Sequence, residues 1–261
     1  VNAVHIVTRG EREGISTIRG ELVSELRRSA LTVTPVADTA ELIIAVGGDG
    51  TVLSAAEDAL RLDLPVCGVN VGKVGYLAEF KPSEIGDLVT ALVDDTYSIT
   101  THSVVSVSTG SHTAQGINDV VVEKVISQRI IEVAVSVNHR ELATYRTDGI
   151  IVATPLGSTA YSLSAGGPVL DPSLDALVLT PVAPHSLLTR PIVLAPDAIV
   201  TLEVSVDRRA RVNVDGRELC TVAPREPIVI RRGDARVKFL GIGRHPFPQA
   251  VREQFSLEHA R

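Results

Sequence analysis

Five consecutive apolar residues, Leu42-Ile43-Ile44-Ala45-Val46, run without transition into Gly47-Gly48-Asp49-Gly50-Thr51. A strand that is apolar at every position has no face for water. It must be covered on both sides, as a central strand is in a helix-flanked parallel sheet. The residues around it repeat that pattern. Val4-His5-Ile6-Val7 reads as a short strand, and Ile15, Ile18, Leu22, Val23 and Leu26 then recur at helical spacing. Leu31 to Val36 and Val66-Cys67-Gly68-Val69 are strand-like, and Val52, Leu53, Ala56, Ala59 and Leu60 share a helical face that starts near Thr51. Ser83 stands as a cap before Ile85, Leu88, Val89 and Leu92. Strands alternating with helices predict an α/β N-terminal domain, Rossmann-like, with a mostly parallel sheet.

Past residue 98 helical periodicity gives way to short β-branched runs divided by turn residues. The runs are Val104 to Ser108, Val120 to Val122, Ile130 to Val137, Ile150 to Val152, Ala176 to Leu179, Ile199 to Val206, Val212 to Val214, Pro227 to Ile230 and Val237 to Leu240. Asn138-His139-Arg140, Asp148-Gly149, Asp215-Gly216 and Gly233-Asp234 read as turns between them. The expected organisation is an α/β domain over 1–98, an all-β, β-sandwich-like C-terminal domain over 99–243, and a tail over 244–261. In the tail, Val251 and Phe255 share one side of a short helix.

Charge and aromatic content narrow the function classes. Lys and Arg number 25 against 31 Asp and Glu, a net charge of −6, which argues against a phosphate-backbone binder, so no nucleic acid partner is expected. Aromatics are 3% and Trp is absent, so neither base-stacking platforms nor bilayer anchors are supplied. No apolar run approaches the ~18 residues of a spanning helix, and Val1 to Gly10 lacks the blocks of a signal peptide. The expectation is a cytoplasmic protein with no membrane partner. Cys67 and Cys220 sit in separate apolar contexts and read as core thiols. Histidines at 5, 102, 112, 139, 185, 245 and 259 have no ligand spacing, so no protein metal site is expected and any metal arrives with a nucleotide.

The Gly47 to Thr51 stretch carries the first chemistry. Glycines permit a tight turn and close approach of a ligand, and the helix that follows offers free N–H groups to a phosphate. Asp49 is out of place in such a cradle unless it accepts a proton from an attacking hydroxyl or holds Mg²⁺. The other open reading is an ordinary strand-to-helix turn with Asp49 as N-cap. Gly68 to Val74 resembles a Walker A loop but is one residue short and has Val74 where Ser or Thr is needed, and no GxGxxG fingerprint is present. A second dense stretch runs from Thr147 to Pro168, an apolar strand flanked by Asp148 and by a block of small hydroxyl residues. It reads as a structured binding loop, and it contains no GxSxG elbow. Asn118-Asp119 suits sugar hydroxyls and suits a turn equally well. Lys124, Arg129, Arg140 and Arg146 form a local basic excess in an acidic chain, suited to phosphates or to ordinary solvation.

In their order these stretches resemble the NAD kinase family, which shares its GGDG motif with lipid kinases and phosphofructokinases. The resemblance is carried by Gly47 to Thr51, Asn70 to Leu77, Asn118-Asp119, Thr147 to Pro168 and Thr180 to Ser186, spanning most of residues 40 to 220. It implies transfer of the γ-phosphoryl group of ATP, or of polyphosphate, to the 2′-hydroxyl of the adenosine ribose of NAD, with Mg²⁺ accompanying ATP. It also implies an active site between the domains, Asp49 as general base, and Gly48 and Gly50 allowing phosphate approach. Asn118, Asp119 and Asp148 would contact the dinucleotide, and Thr159, Ala160, Tyr161, Ser162, Leu163 and Ser164 would form its hydroxyl loop. Tyr76, Arg129, Arg146 and Ala183 are further carry-overs. Ser54 departs from the family where a basic residue is frequent, and Asp119 stands where Glu is common. Family members are dimers or tetramers, so a homodimer or homotetramer is expected. The alternatives are a lipid or small-alcohol kinase of the same superfamily and a non-catalytic NADP-binding sensor.

Overall fold

The computed structural model describes residues 1–10, 14–72, 75–126, 129–185, 188–205, 208–244 and 246–255. Lys73, Val74, Ser186, Val206, His245 and the stretch 256–261, which carry readings above, lie outside the described residues. Internal contacts divide the chain into two units, Val1–Thr101 with Val237–Arg261, and His102–Arg236.

The first unit runs β1 (Ala3–Thr8), α1 (Ile15–Arg28), β2 (Thr32–Thr34), β3 (Leu42–Gly47), α2 (Asp49–Leu62), β4 (Pro65–Asn70), α3 (Ile85–Asp94) and the start of β5 (Ser98–Ser108). The strand order is β2-β1-β3-β4, all parallel. β3 is buried at every position, as its composition requires. Leu42, Ile44 and Val46 join Leu22 and Leu26 of α1 and Leu88 of α3 in one core. α2 comes close to β4 because Gly68 has no side chain; a Cβ there would lie 2.7 Å from Val52 Cγ2. Two local expectations shift. β2 is only three residues long and is followed by a 3₁₀ turn over Ala37–Thr39. Ser83 does not cap α3: it lies inside a 3₁₀ turn, Pro82–Glu84, in which the Glu84 carboxylate accepts the Lys81 N–H at 2.8 Å.

The second unit takes the rest of β5, then β6 (Thr113–Gly116), β7 (Asp119–Lys124), β8 (Ile131–Val137), β9 (Arg140–Thr147), β10 (Gly149–Ala153), α4 (Tyr161–Ser164), β11 (Leu177–Val182), β12 (Ile192–Leu194), β13 (Ile199–Val204), β14 (Ala210–Val214), β15 (Arg217–Val222) and the first part of β16 (Ile228–Gly241). One sheet has the order β12-β11-β10-β7-β14-β15, antiparallel throughout. A second set, β16-β13-β8-β9, is also antiparallel. Alternate residues of both, among them Val120, Val122, Ile150 and Val152 from one and Val133, Val135, Val200 and Leu202 from the other, form a single core. This is the packing of a β-sandwich. The opposite face of the first sheet is covered too, with Val121, Ile151 and Ala153 packed against Ala165 and Val182.

Gly233-Asp234 is not a turn. β16 passes through it as one 14-residue strand, because a Cβ on Gly233 would stand 2.6 Å from Val104 Cγ2 and the glycine serves close backbone approach. The end of β16 belongs to the first unit, where Lys238 and Phe239 pair in parallel with Pro65 and Val66. There the Glu79 carboxylate accepts the N–H groups of Ile242 and Gly243, both at 2.7 Å, and of Arg244 at 3.3 Å. The chain closes with α5 (Phe247–Gln254). Among the described residues no helix is long and apolar enough to cross a membrane.

Candidate active site

α2 begins at Asp49, and Gly48 occupies its N-cap in an extended conformation. The N-cap reading of Asp49 is thereby overturned, since the cap residue has no side chain. The N–H groups of Thr51 and Val52 turn back to the Gly48 carbonyl at 2.8 and 3.2 Å, so Asp49 and Gly50 stand at the helix head. The glycines of the loop have different reasons to be glycine. A Cβ on Gly47 would meet Thr51 Oγ1 at 2.4 Å, so that position serves packing, whereas Gly48 and Gly50 face open space. A cavity of about 390 Å³ lies there, lined by Arg9, Gly10, Ile15, Gly48, Gly50 and Thr51. Arg9 escaped the sequence reading. Its signal was position, because it follows β1 at the carboxyl end of a parallel sheet, where ligands of such sheets collect.

Asp49 reaches away from α2 to a loop distant in sequence. Its carboxylate accepts the Tyr76 N–H at 2.9 Å and the Leu77 N–H at 3.2 Å. Gly75 is required beside it, since a Cβ would lie 2.0 Å from Asp49 Oδ1. Tyr76 is therefore brought to Asp49 through its backbone. Its phenol is pushed up from its ordinary value by burial and then by the Asp49 charge, so it stays protonated.

In the second unit Asn118 and Asp119 lie where β7 begins, and the Thr154–Ser158 turn is folded against them. Thr154 N–H donates to the Asn118 carbonyl at 2.9 Å and Thr154 Oγ1 donates to the Ile117 carbonyl at 2.7 Å. Asp119 is buried, and its carboxyl is pushed up to about 7 by burial first and by Asp215 second. Asp148 is brought to a different cluster, a cavity of about 340 Å³ lined by Glu123, Lys124, Asp148, Tyr161, Val182 and Arg211 among others. Lys124 Nζ pairs with Asp148 Oδ1 at 2.5 Å. Tyr161 is 42% exposed, and its phenol is raised by burial and then by Glu123, Asp148 and Asp119.

The hydroxyl loop divides by function. Ser162 is fully buried, with its hydroxyl 2.8 Å from that of Thr180, so its side chain braces the loop instead of facing a ligand. Thr159 Oγ1 donates to the Leu156 carbonyl at 3.4 Å, Ala160 and Leu163 are half-buried, and Ser164 is exposed. Of the basic residues, Lys124 lines the cavity together with Arg211, which the sequence reading missed. Arg129 is exposed, and Arg146 pairs with Glu132 at 3.5 Å on β9; neither lines the cavity. Ala183 sits just past β11 in a left-handed conformation, φ 45°, that a non-glycine residue seldom holds.

Two family models match the chain, the ATP-NAD kinase N-terminal domain over residues 9–97 and the ATP-NAD kinase C-terminal domain over residues 117–242. The chain belongs to the NAD kinase family. An NAD kinase from Cutibacterium acnes is 38% identical over 229 residues, covering 85% of this chain and 72% of the relative. Among solved structures, an NAD kinase from Archaeoglobus fulgidus in complex with ATP matches with a TM-score of 0.79 and 26% identity, covering 96% of this chain and 99% of that one. Yeast NADH kinase complexed with NADH matches with a TM-score of 0.89 over 100% of this chain and 89% of its own, and at 18% identity it speaks to the fold alone. As a family member the chain is a phosphotransferase, a kinase acting on NAD. The α/β unit with a mostly parallel sheet and the antiparallel β unit are the family's architecture.

Proposed function

We propose that the chain transfers the γ-phosphoryl group of ATP to the 2′-hydroxyl of the adenosine ribose of NAD, giving NADP and ADP. The observation that carries this reading is the position of Asp49, an acid on the first residue of α2 between two glycines with open faces. A phosphate cradle alone has no use for an acid, whereas a ribose hydroxyl attacking phosphorus must lose its proton. A carboxylate offers about four acceptor positions, and two amides use only part of that capacity. In the transfer the ribose oxygen bonds to the γ-phosphorus, the bond from that phosphorus to the β–γ bridging oxygen breaks, and Asp49 takes the hydroxyl proton. Mg²⁺ enters as part of the Mg-ATP substrate. The helix head and Arg9 receive the donor phosphates, an arrangement that polyphosphate would fit as well. Asn118 and Asp119 take sugar hydroxyls, and the cavity around Asp148 and Tyr161 takes the remainder of the dinucleotide. The complex of the archaeal relative with ATP supports ATP as the phosphoryl donor.

The test is to mix the purified protein with NAD and Mg-ATP and follow NADP with an NADP-specific dehydrogenase, with polyphosphate replacing ATP in a parallel reaction. NADP formation is expected. Absence of NADP together with phosphorylation of a lipid alcohol would overturn the reading.

A further inference from the structure

Asp215 sits in the two-residue turn between β14 and β15, with Asp215 at φ 48° and Gly216 at φ 77°. An Asp-Gly pair is a common choice for such a turn, and Asn-Gly would serve it equally. What the turn does not require is the use made of the carboxylate. Its Oδ2 accepts the Ile117 N–H at 2.6 Å, and its Oδ1 accepts the Asn118 and Asp119 N–H groups at 2.8 and 3.0 Å. The Asp119 carbonyl in turn accepts the Asp215 N–H at 3.1 Å. Thr154 holds the remaining carbonyls, those of Ile117 and Asn118. Two residues thus satisfy all six backbone polar groups from Ile117 to Asp119. Gly157 closes the third side, since a Cβ there would lie 2.1 Å from the Asn118 carbonyl oxygen.

A backbone held at every donor and acceptor has one conformation, and it sets the direction in which its side chains leave. Asparagine could not do the same at position 215, because one of its two terminal atoms is a donor and would face an amide. The acid is kept at a cost, since it places a second carboxylate beside buried Asp119 and helps to push that group up to about 7. Burial raises Asp215 as well, opposed by its three amide hydrogen bonds and by Arg217.

We infer that Asp215 is a positioning residue for the dinucleotide: through the backbone of Ile117–Asp119 its carboxylate aims Asn118 and Asp119 at the ribose hydroxyls. The inference rests on the reaction proposed above and adds a residue that touches neither substrate. It is tested with Asp215→Ala and Asp215→Asn in the full-length protein by initial rates in NAD and in Mg-ATP, calorimetric titration with NAD, and thermal melting. In Asp215→Ala the KM and Kd for NAD should rise by about tenfold or more, since a displacement of an ångström at a positioned group has effects of that size or greater. The KM for Mg-ATP should stay within about twofold. Asp215→Asn keeps one acceptor oxygen and should fall between the two. A merely structural role would lower the active fraction, reducing the apparent kcat while leaving the KM for NAD in place, and that result would overturn the inference. Unchanged NAD constants in a cooperatively melting variant would overturn it as well. If Asp215→Ala does not melt cooperatively, Asp215→Asn decides. An intact protein that binds NAD but transfers nothing removes the proposed reaction and leaves the Kd comparison to decide for Asp215. An intact protein that does not bind NAD overturns both.

Discussion

In Asp49→Asn the side chain keeps its shape and one oxygen, while an NH₂ group comes to face the amide of either Tyr76 or Leu77. One charge-assisted bond is lost and a donor faces a donor, at a cost of about 1–3 kcal/mol. Against the total of about 5–15 kcal/mol that holds a domain together, the variant remains folded at 25 °C. The chemical loss is larger. An amide cannot take the ribose proton, and removal of a general base costs ~10²–10⁴-fold in turnover, or about 2.7–5.4 kcal/mol at about 1.36 kcal/mol per decade. Reduced stability cannot imitate this, because a protein still almost wholly folded loses almost none of its active fraction. The assay measures NADP formation at saturating NAD and Mg-ATP, alongside calorimetric binding of NAD and a thermal melt. The expected result is a kcat lower by that range, an NAD affinity within about threefold of the parent, and a Tm lower by about 2–4 °C per kcal/mol lost. Near-normal turnover in the folded variant would refute the proton-acceptor role. Loss of NAD binding together with turnover would reassign Asp49 to shaping the Gly75–Leu77 loop.

Gly47→Ala should destabilise the protein by about 1–3 kcal/mol in a denaturant titration through its clash with Thr51, whereas Gly48→Ala, which points into open space, should leave stability nearly unchanged and raise the KM for ATP. Asp148→Ala should weaken NAD affinity by about tenfold, because it leaves Lys124 without its carboxylate in the cavity proposed for the dinucleotide, and should leave the KM for ATP in place; calorimetry that finds equal losses for both ligands would oppose the assignment. Asp119 holds its proton more tightly folded than unfolded, so its contribution to stability is complete below its ordinary value of 3.8 and is lost as pH rises through about 7. The Tm should accordingly fall across that window, and Asp119→Asn should flatten the fall. A homodimer or homotetramer that completes each nucleotide site should lose specific activity on dilution, and light scattering that reports a fully active monomer would exclude it.

Much of the architecture was written locally. The unbroken apolar run of β3 demanded cover on both faces, helical spacing located α1, α2 and α3, and the change of period near residue 98 marked the passage from α/β to β structure. The glycines before and after Asp49 marked the turn from β3 into α2. These signals lie within a few residues of one another, at the range over which backbone periodicity and turn chemistry act. β9 escaped the reading because it is an edge strand with only Tyr145 and Thr147 buried, so its polar residues hide the alternation. The true reason for Gly233 lies in β5, far away in sequence. The same distance separates what a residue is from what it does in the candidate site. That Gly47 packs while Gly48 stays open, that Asp49 holds the amides of Tyr76 and Leu77, and that Arg9 and Arg211 stand beside cavities all depend on neighbours that only packing supplies. Asp215 shows it most plainly. Its local pattern specified a turn, and only tertiary structure could carry that turn to three amides nearly a hundred residues earlier, because a hydrogen bond depends on where its two ends lie in space and not on their separation along the chain.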